Sequence, residues 1–269
     1  MTETKSAEST TRGVALVTGA SSGIGEEFAR QLAADGCDLI LVARRQERLK
    51  ALAAVLCEAH GIDVEVLVAD LAKDEDVARV EKRIAGLDRL EVLVNNAGFG
   101  TVGRFAEVDF DRQLDMIHVH ILATVRLVRA ALPGMLARKR GNIVNVSSVA
   151  GFLATPNSVT YCATKAYLIT FSKALAAELT GTDLHVQALC PGYIVTEFHD
   201  TSEFKDFDRK QVKKWLWMTS KEVVTKSLKD LRKGRVVCVP GFRYRLLLGI
   251  LRSRLGNWLV RTFGRNPDA

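Results

Sequence analysis

Val14-Ala-Leu-Val-Thr18 runs straight into Gly19-Ala-Ser-Ser-Gly23-Ile-Gly25, and a helix-favouring segment opens at Glu26. A short β-rich apolar run followed by three glycines and then a helix is a strand-to-helix turn. Glycine lets the backbone bend sharply and approach a ligand closely, and the N-terminus of the following helix favours an anion such as a pyrophosphate. The spacing is G-x-x-x-G-x-G, which differs from the commoner G-x-G-x-x-G, and a plain tight connection would use the same glycines. Placement after the first strand favours the phosphate reading, with Gly19, Ser21, Ser22, Gly23, Ile24 and Gly25 as the binding turn.

Six more β-rich runs follow, at 38–43, 64–69, 91–95, 142–146, 185–189 and 235–239, separated by helix-period stretches such as Arg45 to His60 and Phe105 to Lys139. Strands alternating with helices predict right-handed crossovers and a parallel sheet covered on both faces, a doubly wound α/β fold. The 269 residues, 48% apolar and 26% charged, exclude a disordered, collagenous or multi-span membrane chain. One domain is expected over residues 13–240, after a disordered polar N-terminus at 1–12 and before a basic extension at 241–269.

Cys37, Cys57, Cys162, Cys190 and Cys238 are scattered and form no C-x-x-C pair, which fits a reducing compartment. Residues 1–12 lack the apolar core of a signal peptide, and the late apolar run Leu246 to Leu248 is too short to span a bilayer, so a cytoplasmic location is expected. The His and Cys residues lack ligand spacing, and no metal is expected.

The net charge of +7 resides in the tail, because nine basic and no acidic residues lie between Leu231 and Pro267, leaving 29 basic against 31 acidic elsewhere. From Phe242 to Phe263, Arg and apolar residues interleave around Trp258. That pattern suits peripheral contact with an anionic inner membrane surface, a helix packed on the body, or a subunit contact. No recognition module accompanies the charge, so nucleic acid is not an expected partner.

Ligands of such sheets bind at the carboxyl ends of the strands. The second strand ends in Val42-Ala43-Arg44-Arg45, where an acidic residue would hold the 2′-hydroxyl of NAD. Two guanidinium groups suit a 2′-phosphate instead, so Arg44 and Arg45 predict NADPH/NADP+ over NADH; the alternative is a solvated helix start. Asp70 ends the third strand and Asn95-Asn96-Ala97-Gly98 the fourth, with Asn95 a candidate structural tie. Beyond Asn145-Val146-Ser147-Ser148, a long helix carries Tyr161-Cys-Ala-Thr-Lys165. Residues i and i+4 share a helix face, so the Tyr161 hydroxyl and the Lys165 ammonium can share one pocket. A neighbouring cation favours phenolate, which suits Tyr161 as proton donor to a developing alkoxide, with Ser148 orienting the substrate oxygen.

With TGASSGIG, Asp70, NNAG, the serine upstream of YCATK, and Pro191-Gly192 in this order, residues 13–240 resemble the short-chain dehydrogenase/reductase family. The resemblance implies a single Rossmann-type domain with a seven-stranded parallel sheet and hydride transfer from nicotinamide. Tyr161 would be the acid/base, Lys165 would bind the nicotinamide ribose and lower the Tyr161 pKa, and Ser148 would polarise the carbonyl. Ser148 is preferred over Ser147 because the family separates its serine and tyrosine by thirteen positions, as Ser148 and Tyr161 are. Asp70 and Leu71 would meet the adenine, and Asn96, Ala97 and Gly98 the adenosine side. Pro191, Gly192, Ile194 and Thr196 would line the nicotinamide end, Thr196 near the carboxamide. The family also implies a homodimer or homotetramer.

One position departs. Met116-Ile-His-Val-His120 places His120 where the family carries an asparagine that supports a water chain to the lysine. An imidazole can carry a proton near neutral pH, so His120 is expected either to continue the relay or merely to fill the space. His118 is expected to face elsewhere. The substrate loop, about 193–220, holds Phe198, Phe204, Phe207, Trp215, Leu216, Trp217 and Met218, which offer a large apolar substrate surface or a small core of their own. The expected activity is NADPH-dependent reduction of a hydrophobic, lipid-like ketone, 3-oxoacyl or aldehyde group. The alternatives are an NAD-dependent alcohol dehydrogenase and a non-catalytic NADPH-sensing scaffold.

Overall fold

The computed structural model of the chain describes residues 12–200 and 212–251. The apolar runs form β1 (Val14–Thr18), β2 (Asp38–Ala43), β3 (Val64–Val68), β4 (Leu90–Asn95), β5 (Arg140–Val146), β6 (Asp183–Leu189) and β7 (Val237–Cys238). All pair in parallel in the order β3-β2-β1-β4-β5-β6-β7. Side chains alternate across a strand, and in β1 Ala15 and Val17 enter one core while Val14 and Leu16 enter the other. Burial on both faces explains why the strand reads as an unbroken apolar run.

The first core is closed by Phe28 and Leu32 of α1 (Gly23–Ala34), Leu49, Leu52 and Leu56 of α2 (Gln46–His60), and Val223, Val224 and Leu228 of α7 (Ser220–Leu231). The second is closed by Val77 and Val80 of α3 (Asp74–Ala85), Leu127 and Ala131 of α5 (Thr124–Arg138), and Leu175 near the end of α6 (Val159–Glu178). Chain order reverses on either side of β1, which opens a crevice at the carboxyl ends of β1 and β4.

The stretch from Phe110 to Arg138 is one long helix, made of α4 (Phe110–Ile117), a π turn (His118–Ala123) and α5. By length and composition it qualifies to cross a membrane, yet Met116, Val119, Ala123, Leu127, Val128, Ala131 and Met135 are all buried inside the protein. The extra residue of the π turn keeps two stripes in phase. Phe110, Leu114, Ile117 and Leu122 stay exposed, while His120 turns inward.

After β7, α8 (Phe242–Leu251) packs back on the body. Tyr244 and Leu248 are buried, the Tyr244 hydroxyl donates to the Leu216 carbonyl at 2.6 Å and accepts from the Tyr193 amide at 2.9 Å. A Cβ on Gly192 would lie 1.9 Å from the Tyr244 ring, so glycine is required beneath it. Residues 242–251 of the basic extension thus belong to the body. Residues 1–11 and 252–269, with Trp258, lie outside the described residues, as do Phe204 and Phe207.

Candidate active site

The glycine turn is built around left-handed backbone. Gly19 has φ 65° and Gly23 has φ 62°, values that side chains disfavour. Gly25 does not face the crevice: a Cβ there would sit 2.3 Å from the Gly19 carbonyl oxygen, so its smallness lets α1 start hard against the turn. Asn96 ties β4 to this loop by donating to the Thr18 and Gly19 carbonyls at 2.9 and 3.3 Å. The Thr18 hydroxyl accepts from the amides of Asn96 and Ala97 at 2.9 and 3.0 Å. Asn95 donates to Asn145 at 2.9 Å and Asn145 to Ser172 at 3.0 Å, a buried tie across the sheet.

At the end of β2, Arg45 precedes α2 and lies along the glycine turn. It donates from Nε to Ser21 Oγ at 3.0 Å, from Nη2 to Ser22 Oγ at 2.6 Å, and from Nη1 to Glu197 at 2.8 Å. Arg48, one turn into α2, holds both oxygens of Glu197 at 2.8 and 2.7 Å. Arg44 is largely exposed, 4.0 Å from the Asp70 carboxylate. Sequence reading missed Arg48 and Glu197. The three-residue spacing from Arg45 to Arg48 was the available signal for the first, and nothing local marks the second.

Ser147 commits its hydroxyl to the Lys165 carbonyl at 2.7 Å, while Ser148 hydrogen-bonds to the Tyr161 hydroxyl and accepts from the Ala150 amide at 3.1 Å. Lys165 is buried, its Nζ donates to the Val146 carbonyl at 3.0 Å and lies 5.6 Å from the Tyr161 ring centroid. Burial pushes the Lys165 ammonium down to about 7 and the Tyr161 hydroxyl up to about 12, the latter against the pull of the Ser148 hydrogen bond. The expected lowering of the Tyr161 pKa by Lys165 is therefore not a property of the chain alone, because the ammonium that should supply the charge is itself desolvated.

For His120 the space-filling reading fits the geometry better than the relay. Thr164 donates its hydroxyl proton to the Tyr161 carbonyl at 3.0 Å, so its oxygen accepts from His120 Nδ1 at 2.9 Å. His120 Nε2 in turn accepts from the Phe99 amide at 3.2 Å. Both ring nitrogens are engaged, and burial together with nearby Lys165 holds the pKa well below the usual imidazole value. His120 is thus a neutral wedge with a fixed tautomer rather than a group that carries a proton near pH 7. A Cβ on Gly98 would meet His120 Nε2 at 2.6 Å, so Gly98 makes room for the ring. His118 faces away, toward the Leu71 carbonyl and Asp74.

The glycine turn, Arg44, Arg45, Glu197, Ser148, Tyr161 and Lys165 line one cavity of about 750 Å³, with His120 buried behind its wall at Gly98. One end is formed by Gly19, Ser21, Ser22, Gly23 and Ile24 with Arg44, Arg45, Asp70 and Leu71, beside Asn96, Ala97 and Gly98. The far end gathers Ser148, Tyr161 and Lys165 against Phe198, Leu216, Leu247 and Leu248; Pro191, Gly192 and Ile194 also line the cavity, and Thr196 lies against Gly23. Of the substrate-loop residues, Phe198 stands 6.1 Å from Tyr161, centroid to centroid, whereas Met218 packs on the core and Trp217 on Tyr193. The loop therefore both lines the cavity and packs a small core of its own. Two left-handed glycines at a helix N-terminus and a basic cluster beside them fit a phosphate-bearing dinucleotide.

A profile of the short chain dehydrogenase family matches residues 13–206. A very-long-chain 3-oxoacyl-CoA reductase from Anas platyrhynchos is 38% identical over 201 residues, 72% of this chain and 64% of that protein. The chain thus spans somewhat under two thirds of that relative's length. Among solved structures, a short-chain dehydrogenase from Sphingobium yanoikuyae in complex with NADPH is 32% identical with a TM-score of 0.80, covering 96% of this chain and 97% of that one. A bulky-bulky ketone specific alcohol dehydrogenase from Comamonas testosteroni is 28% identical with a TM-score of 0.76, covering 96% of each chain. The fold and the site define a Rossmann-type, doubly wound α/β class with a glycine-rich turn after its first strand. Within that class, the chain belongs to the short chain dehydrogenase family.

Proposed function

We propose that the protein is an NADPH-dependent reductase that converts the carbonyl of a hydrophobic, lipid-like substrate, with 3-oxoacyl thioesters the first class to assay, to an alcohol. One observation carries this reading: Ser148, Tyr161 and Lys165 converge at the apolar end of a cavity whose other end is a glycine turn flanked by arginines. The resemblance to a 3-oxoacyl-CoA reductase and to a bulky-ketone dehydrogenase supports the substrate class. NADPH in the Sphingobium structure supports the cofactor.

The glycine turn and the α1 amides would hold the pyrophosphate, Arg44 and Arg45 the 2′-phosphate, and Lys165 the nicotinamide ribose. When bound, the nicotinamide supplies the hydride. Ser148 and Tyr161 grip the carbonyl oxygen by hydrogen bonds, which polarises the carbon and orients one face. As negative charge develops on that oxygen, the Tyr161 proton moves to it. Desolvation by Phe198, Leu216, Leu247 and Leu248 keeps water from competing for that oxygen. Self-association through the exposed stripe Phe110, Leu114, Ile117 and Leu122 belongs to the same proposal, as does a cytoplasmic location with the tail at an anionic membrane surface.

The test is NADPH oxidation with 3-oxoacyl-CoA thioesters of increasing chain length. Turnover that rises with chain length is expected, and Tyr161→Phe should lower it by about 10²–10⁴ while NADPH affinity, read by fluorescence titration, is kept. Full turnover in Tyr161→Phe, or no oxidation with any thioester or bulky ketone, would reject the reading.

A further inference from the structure

Glu197 comes from the far side of the crevice, one residue after Thr196, whose Cγ2 would lie 3.1 Å from a Cβ on Gly23. Its carboxylate meets Arg45 at 2.8 Å and Arg48 at 2.7 Å. We propose that Glu197 is a cofactor-specificity residue, an internal anion that occupies Arg45 and Arg48 and competes with a 2′-phosphate for them. This rests on the reading of Arg45 as a 2′-phosphate contact.

Three features favour competition over mere support of Arg45. First, the guanidinium is already oriented through its other two nitrogens by Ser21 and Ser22, so the carboxylate is not needed to aim it. Second, Glu197 is 50% exposed and its partners 43% and 50%, and ion pairs this exposed are weak because solvent screens them. A phosphate, with more charge and more acceptor oxygens, can therefore displace the carboxylate, though against an opposing term. Third, the two arginines hold the Glu197 carboxyl below the usual carboxylate range, so it is an anion throughout the neutral region and repels an incoming phosphate. A carboxylate is also the group that NAD sites of this fold direct at a ribose 2′-hydroxyl, so Glu197 tolerates the cofactor that lacks the phosphate. The chain thus carries its 2′-phosphate receptor and a built-in attenuator in one cluster.

Calorimetric titration of the full chain with 2′,5′-ADP and with 5′-ADP isolates this term without turnover. Glu197→Gln is expected to tighten 2′,5′-ADP about three- to tenfold and to leave 5′-ADP within about twofold. The gain should vanish when Glu197→Gln is combined with Arg45→Ala and Arg48→Ala. Unchanged or weaker 2′,5′-ADP binding in Glu197→Gln would overturn the proposal, as would equal gains for both nucleotides. If Arg45→Ala alone leaves 2′,5′-ADP affinity intact, the underlying cofactor reading fails instead, and the competitor has nothing to compete for.

Discussion

An ammonium buried at the floor of the cavity opposes folding, and Lys165 measures by how much. Its folded value of about 7 lies below its ordinary 10.5. Between those values the unfolded chain binds a proton that the folded chain does not, so stability rises with pH across this window. The penalty is fully present below pH 7 and gone above 10.5. Lys165→Met should therefore melt at a higher temperature than wild type at pH 7 and below, with the difference shrinking to zero toward pH 10, as scanning calorimetry across that range would read. A constant difference would mean that the lysine is not held near neutrality. Residue types and order pointed to Tyr161 and Lys165, because i,i+4 geometry is local, while the choice of Ser148 over Ser147 came from the family's spacing. The protonation states were not legible, because they depend on how much water the rest of the fold removes. The same holds for His120, whose tautomer is decided by Phe99 and Thr164.

Elements were legible in proportion to how local their cause is. The seven strands fall within or overlap the β-rich runs; for β1 and β2, burial on both faces writes a continuous apolar signal into the sequence, whereas the half-buried β3 was read from its run of Val and Leu. The helix expected over Phe105 to Lys139 forms from Phe110, and its π turn at His118–Ala123 left no mark that periodicity could catch. The basic extension was legible as amphipathic but not as to what it covers. That is a tertiary fact, set by Tyr244 finding the open floor at Gly192. The hydroxyl of Tyr244 is what fastens α8 to the strand-six turn. Tyr244→Phe should lower stability by about 1–2 kcal/mol. It should also raise KM for long-chain substrates several-fold and weaken NADPH binding by a smaller factor, as denaturant titration, steady-state kinetics and fluorescence titration would show. An equal loss for short and long substrates would argue that α8 is only a brace.

Taken whole, the molecule spends much of the apolar surface of its long helix inward but leaves Phe110, Leu114, Ile117 and Leu122 in water. A contiguous exposed stripe of this kind is a recognised mark of a contact surface. Leu114→Glu with Ile117→Lys should shift the sedimentation coefficient to that of a smaller species without changing the far-ultraviolet dichroism, and an unchanged coefficient would place any assembly elsewhere. The seating of α8 on Gly192 has a kinetic consequence as well. Gly192 lies beneath the Tyr244 ring, and Leu247 and Leu248 of the same helix line the cavity. On the proposed reading, a nucleotide that orders Gly192 would order α8 with it, so nucleotide-first turnover is the expected outcome, which product-inhibition patterns would check.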